Sequence, residues 1–204
     1  MSTVRDSVIA FLRETGMTVM FGNPGSTELP LYREWPEDFR YILGLQESAV
    51  LSMADGYAQA TGNAAIVNLH SAAGLGHAMG SLVSAYKNQT PMVVTAGQQA
   101  RSLLLAEPFL GAIDATAMPK PYVKWSCEPA SAAETPRALA RAYAIAMTAP
   151  RGPVFVSLPV DDWDRPAEPV SPLKLMDDPV PSDDAIAGAA KRINASGNPV
   201  MVVG

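Results

Sequence analysis

Short, mostly apolar runs alternate with longer helix-patterned segments along most of the chain, and this alternation constrains the fold more than any other feature. Residues 17–21, 39–43, 64–69, 91–96 and 153–158 each read as a strand, with one more short strand over 122–125. Between them, Val4, Val8, Phe11 and Leu12 share one face of a first helix, capped by Ser2 or Thr3 and ended by Gly16. Further helices are expected near Glu28, over 46–61 closed by Gly62, over 71–87, and up to about 148, boxed by Ser131 and Glu134. Strands that are apolar on both faces and alternate with helices predict an α/β fold. Its parallel sheet has about six strands, covered by helices on both faces.

Domain organisation follows from composition. Six prolines fall between residues 159 and 181, which marks a linker. We expect a first domain over 1–164, a linker over 165–181, and the start of a second α/β domain over 182–204, with a helix over 182–195 and a strand over 199–204. That last strand has nothing to pair with, so the 204 residues are expected to be part of a longer protein.

Charge and residue counts exclude several classes of function. Hydrophobic residues are 48% of the chain and charged ones 17%, against a usual ~25%, so the chain can bury a core. Net charge is −5 with no basic block, which argues against nucleic-acid and anionic-membrane partners. No apolar run approaches the ~18 residues of a spanning helix, and charges interrupt the N-terminal helix, so a cytoplasmic protein is expected. One cysteine, Cys127, and two histidines, His70 and His77, leave no thiolate or multi-histidine metal cluster.

Ligands of open parallel sheets bind beyond the carboxyl ends of the strands. Three polar features fall there: the turn Gly22-Asn23-Pro24-Gly25-Ser26, Glu47, and His70. An acid, an imidazole and a hydroxyl beside loop amides make a plausible reactive site. Each also has a structural reading, as a helix cap, a dipole partner in a first turn and a strand-end histidine. The glycines of Gly74-Leu-Gly76-His-Ala-Met-Gly80 approximate a dinucleotide turn, but the next strand ends Thr95-Ala-Gly-Gln-Gln99 without the ribose-binding acid. Close helix packing accounts for them equally well.

Six motifs in order carry a family resemblance: Phe21-Gly-Asn-Pro-Gly-Ser26, Leu45-Gln-Glu47, Ala54-Asp-Gly-Tyr57, Asn68-Leu-His70-Ser71-Ala-Ala-Gly74, Thr95-Ala-Gly-Gln-Gln99, and Gly152-Pro-Val with Pro159-Val-Asp-Asp-Trp163. Together they resemble the N-terminal, pyrimidine-binding domain of thiamine-diphosphate enzymes, and within them the benzoylformate decarboxylases. The resemblance implies that Glu47 hydrogen-bonds a ring nitrogen of the cofactor's aminopyrimidine, while Asn23, Pro24 and Gly25 form the turn against that ring. It implies further that Ser26 holds the substrate carboxylate, that His70 moves protons, and that Leu110 lies beside an aryl group. The reaction so implied converts a 2-keto acid such as benzoylformate to an aldehyde and carbon dioxide, in a homodimer or homotetramer.

Mg2+ and the diphosphate are expected on a C-terminal domain, because the Gly-Asp-Gly…Asn pattern that holds them is not in this sequence. The chain alone is therefore expected to be inactive. One departure stands out: these enzymes commonly carry asparagine where this chain has His77, counted here among the substrate-binding residues. Two other readings stay open, a carboligase of the acetolactate-synthase kind and a non-catalytic association module.

Overall fold

The computed structural model describes residues 2–175 and 180–202. Thr3 opens the first helix with a capping box, its hydroxyl accepting from the Asp6 amide while the Asp6 carboxylate accepts from the Thr3 amide. Helix α1 (Val4–Glu14) closes in a Schellman turn: Gly16 takes φ +73°, its amide reaches Arg13 O, and Met17 N reaches Leu12 O. That last bond ties Met17 to the helix end, so strand β1 runs Val19–Asn23 rather than 17–21. The expected turn 22–26 thus begins inside the strand.

Strands β2 (Arg40–Leu43), β3 (Ala65–Leu69), β4 (Met92–Gln98), β5 (Ser126–Cys127) and β6 (Pro153–Pro159) complete one sheet. Its order is β2-β1-β3-β4-β6-β5, and every pairing is parallel. Successive strand residues face opposite cores, as the period of two requires. Met20, Ile66 and Val93 join α1 and α4 (Thr135–Met147) on one face. Phe21, Val67 and Val94 join α2 (Glu47–Thr61) and α3 (Ser71–Lys87) on the other.

Four expectations are corrected. The helix near Glu28 is a single 3-10 turn, Leu29–Tyr32, with Pro30 in its first turn. The strand expected over 122–125 falls at Ser126–Cys127, because a turn in which Tyr122 N donates to Pro119 O bends the chain first, and pairing with β6 begins only where Lys124 N donates to Pro153 O and Trp125 O accepts from Phe155 N. Ser131 makes no side-chain cap. Residues 132–134 form a 3-10 turn, and α4 starts afterwards with Pro136 in the first turn, where a missing N–H costs nothing. Residues 199–202 form no strand, and 203–204 lie outside the described residues.

The linker region is partly described. Residues 165–167 are held to the first unit, with Val4 N donating to Arg165 O, Ala167 N to Ser2 O, and Ser7 Oγ to Ala167 O. Residues 176–179 of the expected linker lie outside the described residues. Helix α5 (Asp183–Ala195), capped by Ser182, buries none of its side chains.

Candidate active site

From β1 the chain goes to β2 on one side, then returns to place β3 on the other, so the order reverses between β1 and β3. A crevice opens at such a point, at the carboxyl ends of the strands. The register sets Asn23 opposite Leu69, which brings the loop after β1 against His70 after β3. The contact is close enough to require glycine: a Cβ on Gly25 would stand 2.2 Å from the His70 ring.

Two carboxylate–imidazole pairs line this crevice. Glu47, in the first turn of α2, is buried, and its Oε1 accepts from Asn23 Nδ2 at 3.1 Å. Its Oε2 meets His77 Nδ1 at 3.2 Å. Gly74 lies alongside, where a Cβ would already be in van der Waals contact with the Glu47 carboxylate at 3.4 Å. His77 thus belongs to the Glu47 cluster, whereas the sequence had suggested a place with the substrate.

The second pair is Glu28 and His70. Glu28 Oε2 accepts from Gly25 N at 2.7 Å and meets His70 Nδ1 at 2.8 Å; Oε1 accepts from Thr27 Oγ1 at 2.6 Å and Ser71 N at 3.4 Å. A carboxylate only accepts, so Nδ1 carries the ring proton and Nε2 is left for a reactant. Ser71 sits at φ +50°, a conformation costing about 1–3 kcal/mol in a non-glycine residue, and its amide is directed at Glu28. Gly97 completes the socket, since a Cβ there would lie 1.9 Å from Glu28 Oε1.

Glu28, Thr27 and Gly97 were not singled out from the sequence. The available signal was an acid three residues beyond Gly25, in a loop already assigned to the binding edge. Ser26 is exposed on the same loop. Leu110 is half-buried in the segment after β4, beside a cavity of about 500 Å3 that its neighbours Phe109, Gly111 and Ala112 line. Arg101 anchors the start of that segment by a two-pronged bond to Asp162 (2.8 and 2.7 Å), which also raises the guanidinium pKa.

Behind the crevice, Tyr32 donates to Asn68 Oδ1, and Asn68 Nδ2 donates to Thr95 Oγ1 at 2.9 Å. Burial pushes the Tyr41 phenol up to about 12, so it stays neutral beside Gly22. Cys127 lies on the far edge strand with its thiol pKa raised by burial, unsuited to nucleophilic attack. Among the described residues, no group of three acidic, histidine or cysteine side chains could hold a metal ion. None of the described helices is long and apolar enough to cross a membrane.

A parallel α/β sheet with a polar cluster at its switch point defines a ligand-binding domain of the doubly wound kind. Comparison narrows it. A family model described as thiamine pyrophosphate enzyme, N-terminal TPP binding domain, matches residues 2–118, and the chain belongs to that family. It is 48% identical, over all of its length, to benzoylformate decarboxylase of Pseudomonas aeruginosa, of which it spans 39%. To the acetolactate synthase large subunit of Haemophilus influenzae it is 34% identical, over 76% of this chain and 27% of that protein. The crystal structure of benzoylformate decarboxylase from Polynucleobacter necessarius superposes with a TM-score of 0.91 at 48% identity, covering 98% of this chain and 38% of that one. A 4-hydroxybenzoylformate decarboxylase from Rhodococcus jostii gives 0.91 at 44% identity, with the same coverage of 98% and 38%. The chain thus spans about two fifths of the length of these relatives.

Proposed function

We propose that the complete protein decarboxylates an aromatic 2-keto acid, benzoylformate or a close analogue, with thiamine diphosphate. The observation that carries this reading is the buried Glu47, fixed through one oxygen by Asn23 at the sheet's switch point, in a chain 48% identical to a benzoylformate decarboxylase. The residues fit the cofactor's pyrimidine. A buried carboxylate whose second oxygen meets only a largely exposed imidazole can be reached by a ring nitrogen and share a proton with it.

When bound, the cofactor supplies the electron sink for loss of carbon dioxide. This chain's part is positioning and proton handling. Asn23 holds the Glu47 carboxylate in orientation, and the turn through Pro24 and Gly25 forms a wall beside it. Glu28 fixes the His70 tautomer, so that Nε2 can hold or deliver a proton at the reacting centre. Ser26, exposed on the same loop, donates to the substrate carboxylate, and Leu110 packs on its aryl group. Magnesium with the diphosphate, a homodimeric or homotetrameric assembly and a cytoplasmic location belong to the same reading. So does the division into a pyrimidine-binding domain over 1–164, a linker and a second domain.

Carboligation is the weaker reading, since the acetolactate synthases match less of the chain at lower identity. The test is product analysis of the complete protein given benzoylformate or pyruvate with thiamine diphosphate and magnesium. Benzaldehyde with equimolar carbon dioxide is expected from benzoylformate. Acetolactate from pyruvate, with no benzaldehyde, would replace this reading by the carboligase one.

A further inference from the structure

His77 occupies the Glu47 oxygen that Asn23 leaves free, and its ring is open to solvent. The distance is 3.2 Å, and the side chains are 67% and 9% exposed. The imidazole is therefore open to water while the carboxylate it touches is buried. An unperturbed imidazole changes charge near pH 6.5, and a carboxylate that already binds one cation accepts a second less readily.

We propose that His77 is a positioning residue that makes cofactor uptake by Glu47 depend on pH. Neutral His77 donates one hydrogen bond to Oε2 and holds the carboxylate in place. Protonated His77 competes, because an imidazolium and a protonated pyrimidine nitrogen then share one carboxylate. This rests on the assignment of Glu47 to the pyrimidine.

The surroundings isolate the pair. Helix α2 carries Glu47, Asp55 and Tyr57; Asp55 accepts from Thr90 Oγ1 and Asn88 Nδ2 at the far end of α3, and Tyr57 packs on Phe21. On α3 itself the other titratable residues are Tyr86, stacked on Tyr122, and Lys87 in the last turn. Strands β3, β4 and β6 present no ionisable side chain. Met118 reaches Gly76; in its segment Asp114 accepts from the Ala117 amide, and the Lys120 side chain is exposed. His70, just before α3, is held by Glu28.

The test compares the complete protein with its His77→Asn and His77→Gln variants. Asparagine and glutamine keep a hydrogen-bond donor and remove the titration. Thiamine diphosphate Kd is measured calorimetrically at saturating magnesium between pH 5.5 and 8.5, and thermal midpoints confirm that each variant folds. Cofactor and His70 titrations are common to all three proteins, so the ratio of wild-type to variant Kd isolates His77. We expect that ratio to rise about fivefold from pH 8.5 to pH 5.5, the effect at pH 5.5 of a one-unit downward displacement from the ordinary imidazole value near 6.5. Reciprocally, the His77 ring, followed by NMR, should titrate at lower pH when cofactor is bound. A ratio flat across this range in both variants, or a His77 titration unmoved by cofactor, overturns the proposal while leaving Glu47 with the pyrimidine. No thiamine diphosphate binding by the wild type at any pH would overturn both.

Discussion

The crevice holds the same two chemical partners twice, an acid and an imidazole, in opposite settings. Glu28 is 1% exposed and its histidine 25%, whereas Glu47 is 9% exposed and its histidine 67%. Glu28 has four protein groups at hydrogen-bonding distance, from Gly25, Thr27, His70 and Ser71. Glu47 has two, from Asn23 and His77. A carboxylate saturated by its own chain can only hold something in place; one left with a replaceable partner can bind something else. Under the proposed function, the difference separates an acid that positions a catalytic group from one that meets a ligand.

The harshest test of that division removes the acid function where a ligand is expected. Glu47→Gln keeps the volume and the Asn23 neighbour but cannot share a proton with a ring nitrogen. Turnover by the complete protein should fall ~10²–10⁴-fold, with the thermal midpoint nearly unchanged. A steady-state assay beside a melting curve checks both halves. Turnover within threefold of wild type would mean that Glu47 is no more functional than a helix-dipole partner.

The saturated acid should answer with stability instead. Glu28→Ala takes the carboxylate from an imidazole, a hydroxyl and two backbone amides, leaving the amides unpaired and the Thr27 hydroxyl and His70 Nδ1 only each other, at 3.3 Å. The loss should be about 3 kcal/mol in urea unfolding, with weakened catalysis as a consequence of a freed His70. A change under 1 kcal/mol would break the contrast between the two pairs. Gly97→Ala attacks the same socket from the sheet side, where the new methyl would meet Glu28 Oε1 at 1.9 Å and Thr27 Oγ1 at 2.5 Å. Overpacking of this kind costs about 1–3 kcal/mol. Because β4 cannot retreat from its two neighbours, Glu28 has to move. The variant should therefore resemble a milder Glu28→Ala in both stability and catalysis.

What could be read from the sequence was whatever a residue declares by itself or with close neighbours. Apolar runs such as 64–69 gave buried strands, and Gly62 ended α2 in the left-handed region, at φ +69°. The rule that ligands gather at strand ends was enough to bring Asn23, Glu47 and His70 to one edge. Glu28 stayed hidden because its role is made by distant parts: the bare Cα of Gly97 on β4 and the left-handed turn at Ser71. The misplaced fifth strand has a local cause instead: the turn that Tyr122 N closes on Pro119 O, which the apolar pattern of 122–125 does not declare. His77 was seen as a departure from the usual asparagine, but α2 and α3 had to be packed together before it met Glu47.

The exposed pair supplies the smallest effect. His77→Ala removes one partner from Glu47, but Asn23 still holds Oε1 and water can replace the imidazole at a site this open. Ion pairs and hydrogen bonds with one largely exposed member contribute ~0–1 kcal/mol once solvent and salt screen them. The unfolding midpoint at pH 7.5 should thus move by less than about 1 kcal/mol, a fraction of the Glu28→Ala loss measured in the same denaturant series. Raising salt from about 50 mM to 500 mM should shrink even this difference, because charges near the surface are screened within ~10 Å at 0.1 M. The Glu28→Ala loss, made of buried hydrogen bonds, should hardly respond. A His77→Ala loss above 2 kcal/mol that persisted at high salt would show that the Glu47 pair is as structural as the Glu28 pair. The two acids would then have to be distinguished by chemistry alone.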